Sequence, residues 1–270
     1  AVVEKPYLAL GADLSPQEQM TVLSLLGLSD INVDDYDIIS ITNADEHEYL
    51  DKYLDASIIG TRALSSVLVV GKEAGNGIHV TTKNISYCTE GMYRNALLTA
   101  GIEDADITVA GPFSISGTAA LVGAIKAYET MTGEEIDDEN LDAANDELVL
   151  TGKLVEDIGD SEKAEDLMAL VKQEVAENKL TSAEDIQNVV DQACDQLDIQ
   201  LSEENQKQIA ELMKKIEGLD LDVDKLKDQA KDLYQKLEDL DFHVDKESVG
   251  NFFTRIIDAI VNFFQGLFGK

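Results

Sequence analysis

Imidazole is the side chain best suited to metal binding and to proton transfer near neutral pH. This chain has three: His47, His79 and His243. The stretch "HEYLD" begins as the zinc motif HExxH does, but Asp51 stands where the second His belongs. That motif works because two imidazoles on one helical face hold the metal. One His and one Asp read instead as part of a surface helix. His79 alternates with Ile78 and Val80 and reads as a strand residue, while His243 falls in a loop between helices. "GKEAGNG" has the glycines of a phosphate loop without the GxxxxGK[ST] pattern ahead of a helix, so it reads as a hairpin turn. "DINVDD" and "DLDVDK" space oxygen ligands by two but lack the Gly and Glu of a calcium loop. "GPFSISG" sets Phe113 where a nucleophilic serine would stand. No catalytic residue, no metal ligand and no cofactor is assigned, and the chain reads as non-enzymatic.

One constellation remains. Small polar residues recur where strands give way to helices: Asn43, Thr82, Asn84, Ser114, Ser116 and Thr118. In open α/β sheets ligands bind beyond the carboxyl ends of the strands, and helix N-termini there attract anions. These six residues are the candidate ligand-binding set. Helix capping alone also accounts for Ser, Thr and Asn at such places.

The elements that would position them can be read from the punctuation. All three prolines (Pro6, Pro16, Pro112) and twelve of eighteen glycines lie at or before Gly133. Up to that point strand and helix signals alternate. "YLALGADL" and "YDIISIT" read as strands. "SPQEQMTVLSLLGL" reads as a helix with Ser15 as cap, Pro16 in the first turn and Glu18 completing a capping box. Asn43 is expected to cap "ADEHEYLDKYL". "ALSSVLVV" and "IHVTTKN" suggest a hairpin. "CTEGMYRNALLTA" reads as a helix closed by Gly101. "DITVAG" is a strand, and "SGTAALVGAIKAYETMTG" a helix capped by Ser116 and stopped by Gly133. The remainder reads as acidic amphipathic helices at 136–149, 160–177, 182–199, 203–217, 222–240 and 248–268. Thr181 and Ser202 are the expected caps of the third and fourth, and Ile209, Leu212, Met213 and Ile216 form one buried stripe. The fold class is thus α+β or α/β: a mixed-sheet α/β domain over 1–133, an acidic helical bundle over 134–245 and an amphipathic C-terminal helix over 246–270.

Composition narrows the partners. The net charge is −33, with 7 basic against 18 acidic residues up to Gly133 and 14 against 36 beyond it. That excludes nucleic acid, which needs clustered Lys and Arg, and electrostatic docking on anionic lipid. No apolar run reaches the roughly 18 residues of a spanning helix. A chain that opens on Ala1 and enters folded-looking sequence at once fits a mature exported protein after signal removal, or simply a sequence that starts there. The spacing of Cys88 and Cys194 does not decide a disulfide, and two separate buried thiols is the reading taken.

A family resemblance adds to this. "GADLSPQEQ", "ITNADEHEYL", "IGTRALSS" and the long block from "GNGIHVTTKNISYCTEGMYRNALLTAGIEDADITVAGPFSISGTAALVGAIKAYE" resemble the YpuA-like proteins of Gram-positive bacteria. "ANDELVLTGKL" and "IQLSEENQKQIAELMKKIEGLDLD" extend the likeness, which covers roughly residues 7–240 and is most specific over 75–133. The resemblance implies export and an extracellular or cell-envelope home. It brings no catalytic residues, and it places "NIS" at Asn84 in a bacterium, away from eukaryotic glycosylation.

The end of the chain, "NFFTRIIDAIVNFFQGLFGK", holds five of the seven Phe. At 100° per residue, Phe252, Phe253, Ile256, Ile257, Ile260, Phe263, Phe264, Leu267 and Phe268 share one half of a helical wheel. Three covers fit that face: the bundle itself, a membrane or envelope surface, or a protein partner. The functional expectation is an exported interaction protein working through this helix. The rivals are a small-ligand receptor or enzyme using the strand–helix cleft, and a surface protein that binds a host or neighbouring-cell protein. The oligomeric state is left open.

Overall fold

Five consecutive buried residues, Tyr7–Gly11, form the first strand (β1), which is flanked on both sides. The computed structural model describes residues 5–219 except Ile31, together with Leu221. After β1 come α1 (Pro16–Leu25), a short 3₁₀ turn, β2 (Asp37–Ile41), α2 (Asn43–Leu50) and the four-residue α3 (Ala56–Ile59). The chain continues through β3 (Ser66–Gly71), β4 (Ile78–Ile85), α4 (Glu90–Thr99), β5 (Ala105–Ile115) and α5 (Thr118–Thr132). The five strands make one mixed sheet in the order β2-β1-β3-β5-β4. β1 runs parallel to β2 and antiparallel to β3, and β5 runs antiparallel to β3 and parallel to β4.

The expected hairpin of β3 and β4 does not form, because β5 lies between them. Both strands bond to β5, of which Ala105, Ile107, Val109 and Ala110 are buried. The loop "GKEAGNG" is organised by the start of β5 instead. Gly75 and Gly77 donate their N–H groups to one oxygen of Asp104 at 3.1 and 2.8 Å, and Ala105 donates to the Gly77 carbonyl. A carboxylate that gathers backbone N–H groups sets the loop as firmly as a ladder would.

Period-two alternation gives the sheet two apolar faces. Leu8, Leu10 and Ala110 pack under α1 with Val22, Leu26 and Leu28. Tyr7, Ala9, Val67, Val69, Ile107 and Val109 face α4 and α5, and that cluster continues into Ala144 and Leu148 of the helix beyond. α5 sits low on the sheet at Gly123, where a Cβ would lie 2.8 Å from that of Ala9.

Four more helices complete the described chain: α6 (Asp138–Ile158), α7 (Ser161–Asn178), α8 (Ala183–Leu197) and α9 (Glu203–Glu217). The expected stripe of Ile209, Leu212, Met213 and Ile216 is buried in α9. α6 runs about two turns past its expected end, through Gly152, where a Cβ would strike the phenol of Tyr87. Three caps differ from expectation. Thr42 caps α2 and forms a capping box with Asp45, so Asn43 is the first helical residue. Ser182, whose hydroxyl accepts from the Asp185 N–H, caps α8 in place of Thr181. α5 begins at Gly117, with no side-chain cap from Ser116. Ser15, Pro16 and Glu18 start α1 as expected, and Ser202 caps α9. The helices expected at 222–240 and 248–268, with the whole Phe-rich face, lie outside the described residues. No helix among the described residues is long and apolar enough to cross a membrane.

Candidate functional site

The turn from β5 into α5 determines the site. Asn84 takes a left-handed conformation (φ 59°) at a register shift in β4, and its side-chain amide donates to the Gly111 carbonyl at 3.1 Å. Such bulges bend a strand and re-aim the side chains beyond them. The chain then runs to Gly117 at φ 93°, a conformation in which L side chains are strained. A side chain there would also meet the Tyr93 hydroxyl and, at 2.7 Å, Ile85. The buried Tyr93 hydroxyl donates to the Gly117 carbonyl at 2.6 Å and fixes the turn.

The first turn of α5 is served from distant segments. The Ala120 N–H donates to the hydroxyl of Ser65, at the head of β3, at 2.8 Å. The Thr118 hydroxyl donates to a Glu46 carboxyl oxygen at 2.5 Å and lies 3.4 Å from that of Ser116. A carboxylate suits a helix N-terminus, where the unpaired N–H groups carry partial positive charge. Glu46 is only 1% exposed. Burial raises its pKa above the ordinary carboxyl range, opposed by the hydrogen bonds from Thr118 and Asn43.

A cleft of about 530 Å³ opens over these groups. Its wall draws on α2 through Glu46, on α3 and the loop after it through Ser57 and Arg62, on the residues after β4 through Ser86 and Tyr87, and on the β5–α5 turn through Phe113 and residues 115–119. The opposite rim turns on Gly60, whose carbonyl accepts from the Asn43 amide at 3.1 Å and lies 3.3 Å from His47 Nε2. His47 Nδ1 is 2.5 Å from Asp51, and that hydrogen bond is the main cause raising the imidazole pKa. The residue standing in for the second metal-binding His therefore pairs with the first, i to i+4. Arg62 reaches the far side through Nη2, which donates to Glu18 at 2.8 Å and to the Asp13 carbonyl at 3.2 Å. Among the described residues, no three His, Cys, Asp or Glu side chains gather as a metal site.

Of the six candidate ligand residues, Ser116 and Thr118 line the cleft. Asn43 stands behind the wall, bonded to Gly60 and, at 3.4 Å, to Glu46. Thr82, Asn84 and Ser114 do not contribute to the wall. The Thr82 N–H donates to Glu90 at 3.1 Å, Asn84 shapes the strand, and Ser114 is exposed. The sequence reading missed Glu46, Tyr87 and Phe113. Glu46 comes directly after the Thr42–Asp45 capping box, and a Glu at the fourth helical position facing inward was the available signal.

Strands that carry a cleft at a strand–helix turn, with a helical layer packed on one face, define an α/β protein with a ligand-sized cavity. The chain belongs to the family described as "Protein of unknown function (DUF1002)", whose model matches residues 10–233. It is 40% identical over 270 residues to the uncharacterized protein YpuA of Bacillus subtilis (strain 168), covering 98% of this chain and 91% of that protein. No solved structure matches.

Proposed function

We propose that this chain is an exported, non-catalytic binding protein of the cell envelope, and that its α/β cleft takes up a small molecule. The observation that carries the reading is the convergence of Glu46 from α2 with Ser116 and Thr118 from the β5–α5 turn on one cavity of about 530 Å³. Cavities of a few hundred cubic ångströms with a few placed polar groups are the usual form of small-molecule sites. Binding is favoured over turnover by how the hydroxyls are used. Those of Thr118 and Ser65 are engaged with Glu46 and Ala120, and His47 is tied to Asp51 and the Gly60 turn. The export reading rests on the resemblance to YpuA-like proteins. A thermal-shift screen of metabolites tests the cleft. A ligand should raise the melting temperature of the parent and have a reduced effect on Ser116→Ala; equal shifts in both would remove the site from the cleft.

The C-terminal segment, read from its sequence as an amphipathic helix, supports a second contact, with a membrane or envelope surface or a protein partner. Its support is the sequence pattern that sets Phe252, Phe253, Ile256, Ile257, Ile260, Phe263, Phe264, Leu267 and Phe268 on one face. Deleting 251–270 should abolish flotation with liposomes while leaving the melting temperature unchanged. A large loss of stability without lipid binding would assign that face to the fold.

A further inference from the structure

Four large apolar side chains stand exposed among the described residues: Met20, Val33, Ile38 and Phe113. Of these, Phe113 alone lines the cleft, with 49% of its surface open. The wall near it carries hydroxyls from Ser86 and Ser116, the partly buried Tyr87 and the Glu46 carboxyl.

The wall excludes the simpler ligand classes one by one. A purely apolar ligand would cover these hydroxyls without bonding to them, and a buried polar group left unpaired is costly. An anion is the usual guest of a helix N-terminus, but here the position beside the α5 N-terminus is taken by Glu46, 2.5 Å from Thr118. The chain's net charge of −33 repels anions further. A cation would meet the Arg62 guanidinium on the same wall. A neutral molecule with many hydroxyls and one flat apolar face matches both the hydroxyls of the wall and the exposed Phe113 ring.

We infer that the cleft binds a neutral carbohydrate, one sugar ring lying against Phe113 with its hydroxyls bonded to Ser116, Ser86 and Glu46. This rests on the cleft being a binding site, as proposed above. The aromatic face covers the C–H side of the ring, as aromatic side chains cover apolar surface elsewhere. The hydroxyls and carboxyl read the rim of the sugar, and a site built to bond an OH rejects a ligand that lacks it.

The test is calorimetric titration of the full chain with maltotriose, cellotriose and chitotriose, and in parallel with inorganic phosphate and a neutral hydrophobic dye. At least one trisaccharide is expected to bind. Phe113→Ala and Ser116→Ala, both at solvent-accessible positions and checked for folding by circular dichroism, should each weaken it about ten-fold. Saccharide binding that neither variant changes would overturn the assignment to this cleft. Binding of phosphate or dye that these variants abolish, with no saccharide bound, would overturn the carbohydrate class and leave the cleft standing as a site. Silence from every probe would overturn both.

Discussion

Lys172 on α7 places its ammonium 2.8 Å from the Glu147 carboxylate on α6, and both side chains are only 1% exposed. The same ammonium donates to the Asn95 carbonyl at 3.0 Å and to the Thr99 hydroxyl at 3.2 Å, while Thr99 bonds the second oxygen of Glu147. Asn95 and Thr99 belong to α4, so the pair ties the helical layer to the α/β layer. A buried ion pair survives when its remaining donors and acceptors are satisfied, as here. Its removal as a unit is a different matter from its breakage.

Lys172→Met should therefore cost about 3–5 kcal/mol, because it strands the Glu147 charge in the interior. The double variant Lys172→Met, Glu147→Leu should recover most of that loss. Urea unfolding of the parent, both single variants and the double variant measures the coupling. A double variant no more stable than Lys172→Met would mean that the bonds to Asn95 and Thr99, not the ion pair, hold these layers.

Glu46 gives the cleft a pH dependence of known sign. Its folded-state pKa is raised by burial, so the folded chain holds this proton more tightly than the unfolded chain does. The stability it contributes is complete below the unfolded pKa and is lost as pH rises through the folded one. Glu46→Gln lacks this loss. The stability of Glu46→Gln relative to the parent should climb from about pH 4 upward and level off above the raised pKa. Denaturant unfolding across that range reads the difference, which also cancels the opposite slopes of Glu18 and Asp45, whose pKa values are lowered. A flat difference would mean that the Glu46 carboxyl has the same pKa in the folded and unfolded chains.

Tyr87 connects the cleft to the helical layer. Its phenol packs where a Cβ on Gly152 would stand, with the ring Cζ 2.9 Å from that point. Burial pushes the phenol pKa up to about 12. Gly152→Ala should cost roughly 1–3 kcal/mol through overpacking. Tyr87→Phe removes the nearest atom, so the two changes together should cost less than their sum. A double-mutant cycle on unfolding free energies measures this, and strict additivity would place the strain elsewhere.

The legible parts of this fold are those fixed locally. The capping box of Ser15 and Glu18, the stop at Gly133 and the stripe from Ile209 to Ile216 depend on residues within a few positions of one another, and each formed as read. The strand order did not follow from local signals, because β5 chose partners from two segments that look like neighbours in the chain. Ser116 and Thr118 were found because they sit at a strand–helix turn. Glu46 was not, because a Glu inside a short polar helix resembles a solvated one until Thr118 of α5 is brought to it. Phe113 was noticed only as a mismatch to a serine nucleophile, while its exposure on the cleft is a tertiary property.

The two cysteines are free thiols, both buried, in line with the reading of separate side chains. Burial raises the Cys88 thiol to about 12 and the Cys194 thiol to about 11, the latter with further repulsion from Asp191 and Asp195. Since the thiolate is the reactive form, neither should react readily in the folded chain near neutral pH. A thiol-reactive reagent such as DTNB should count fewer than one reactive group per native chain at about pH 8, and two in denaturant without reductant. Cys88 should also be the slower of the two, being more fully enclosed and with its thiol pushed higher by burial. Peptide mapping after partial alkylation resolves that order. Fast labelling of Cys88 in the native chain would mean that the Tyr93–Gly117 turn opens often, and with it the base of the cleft.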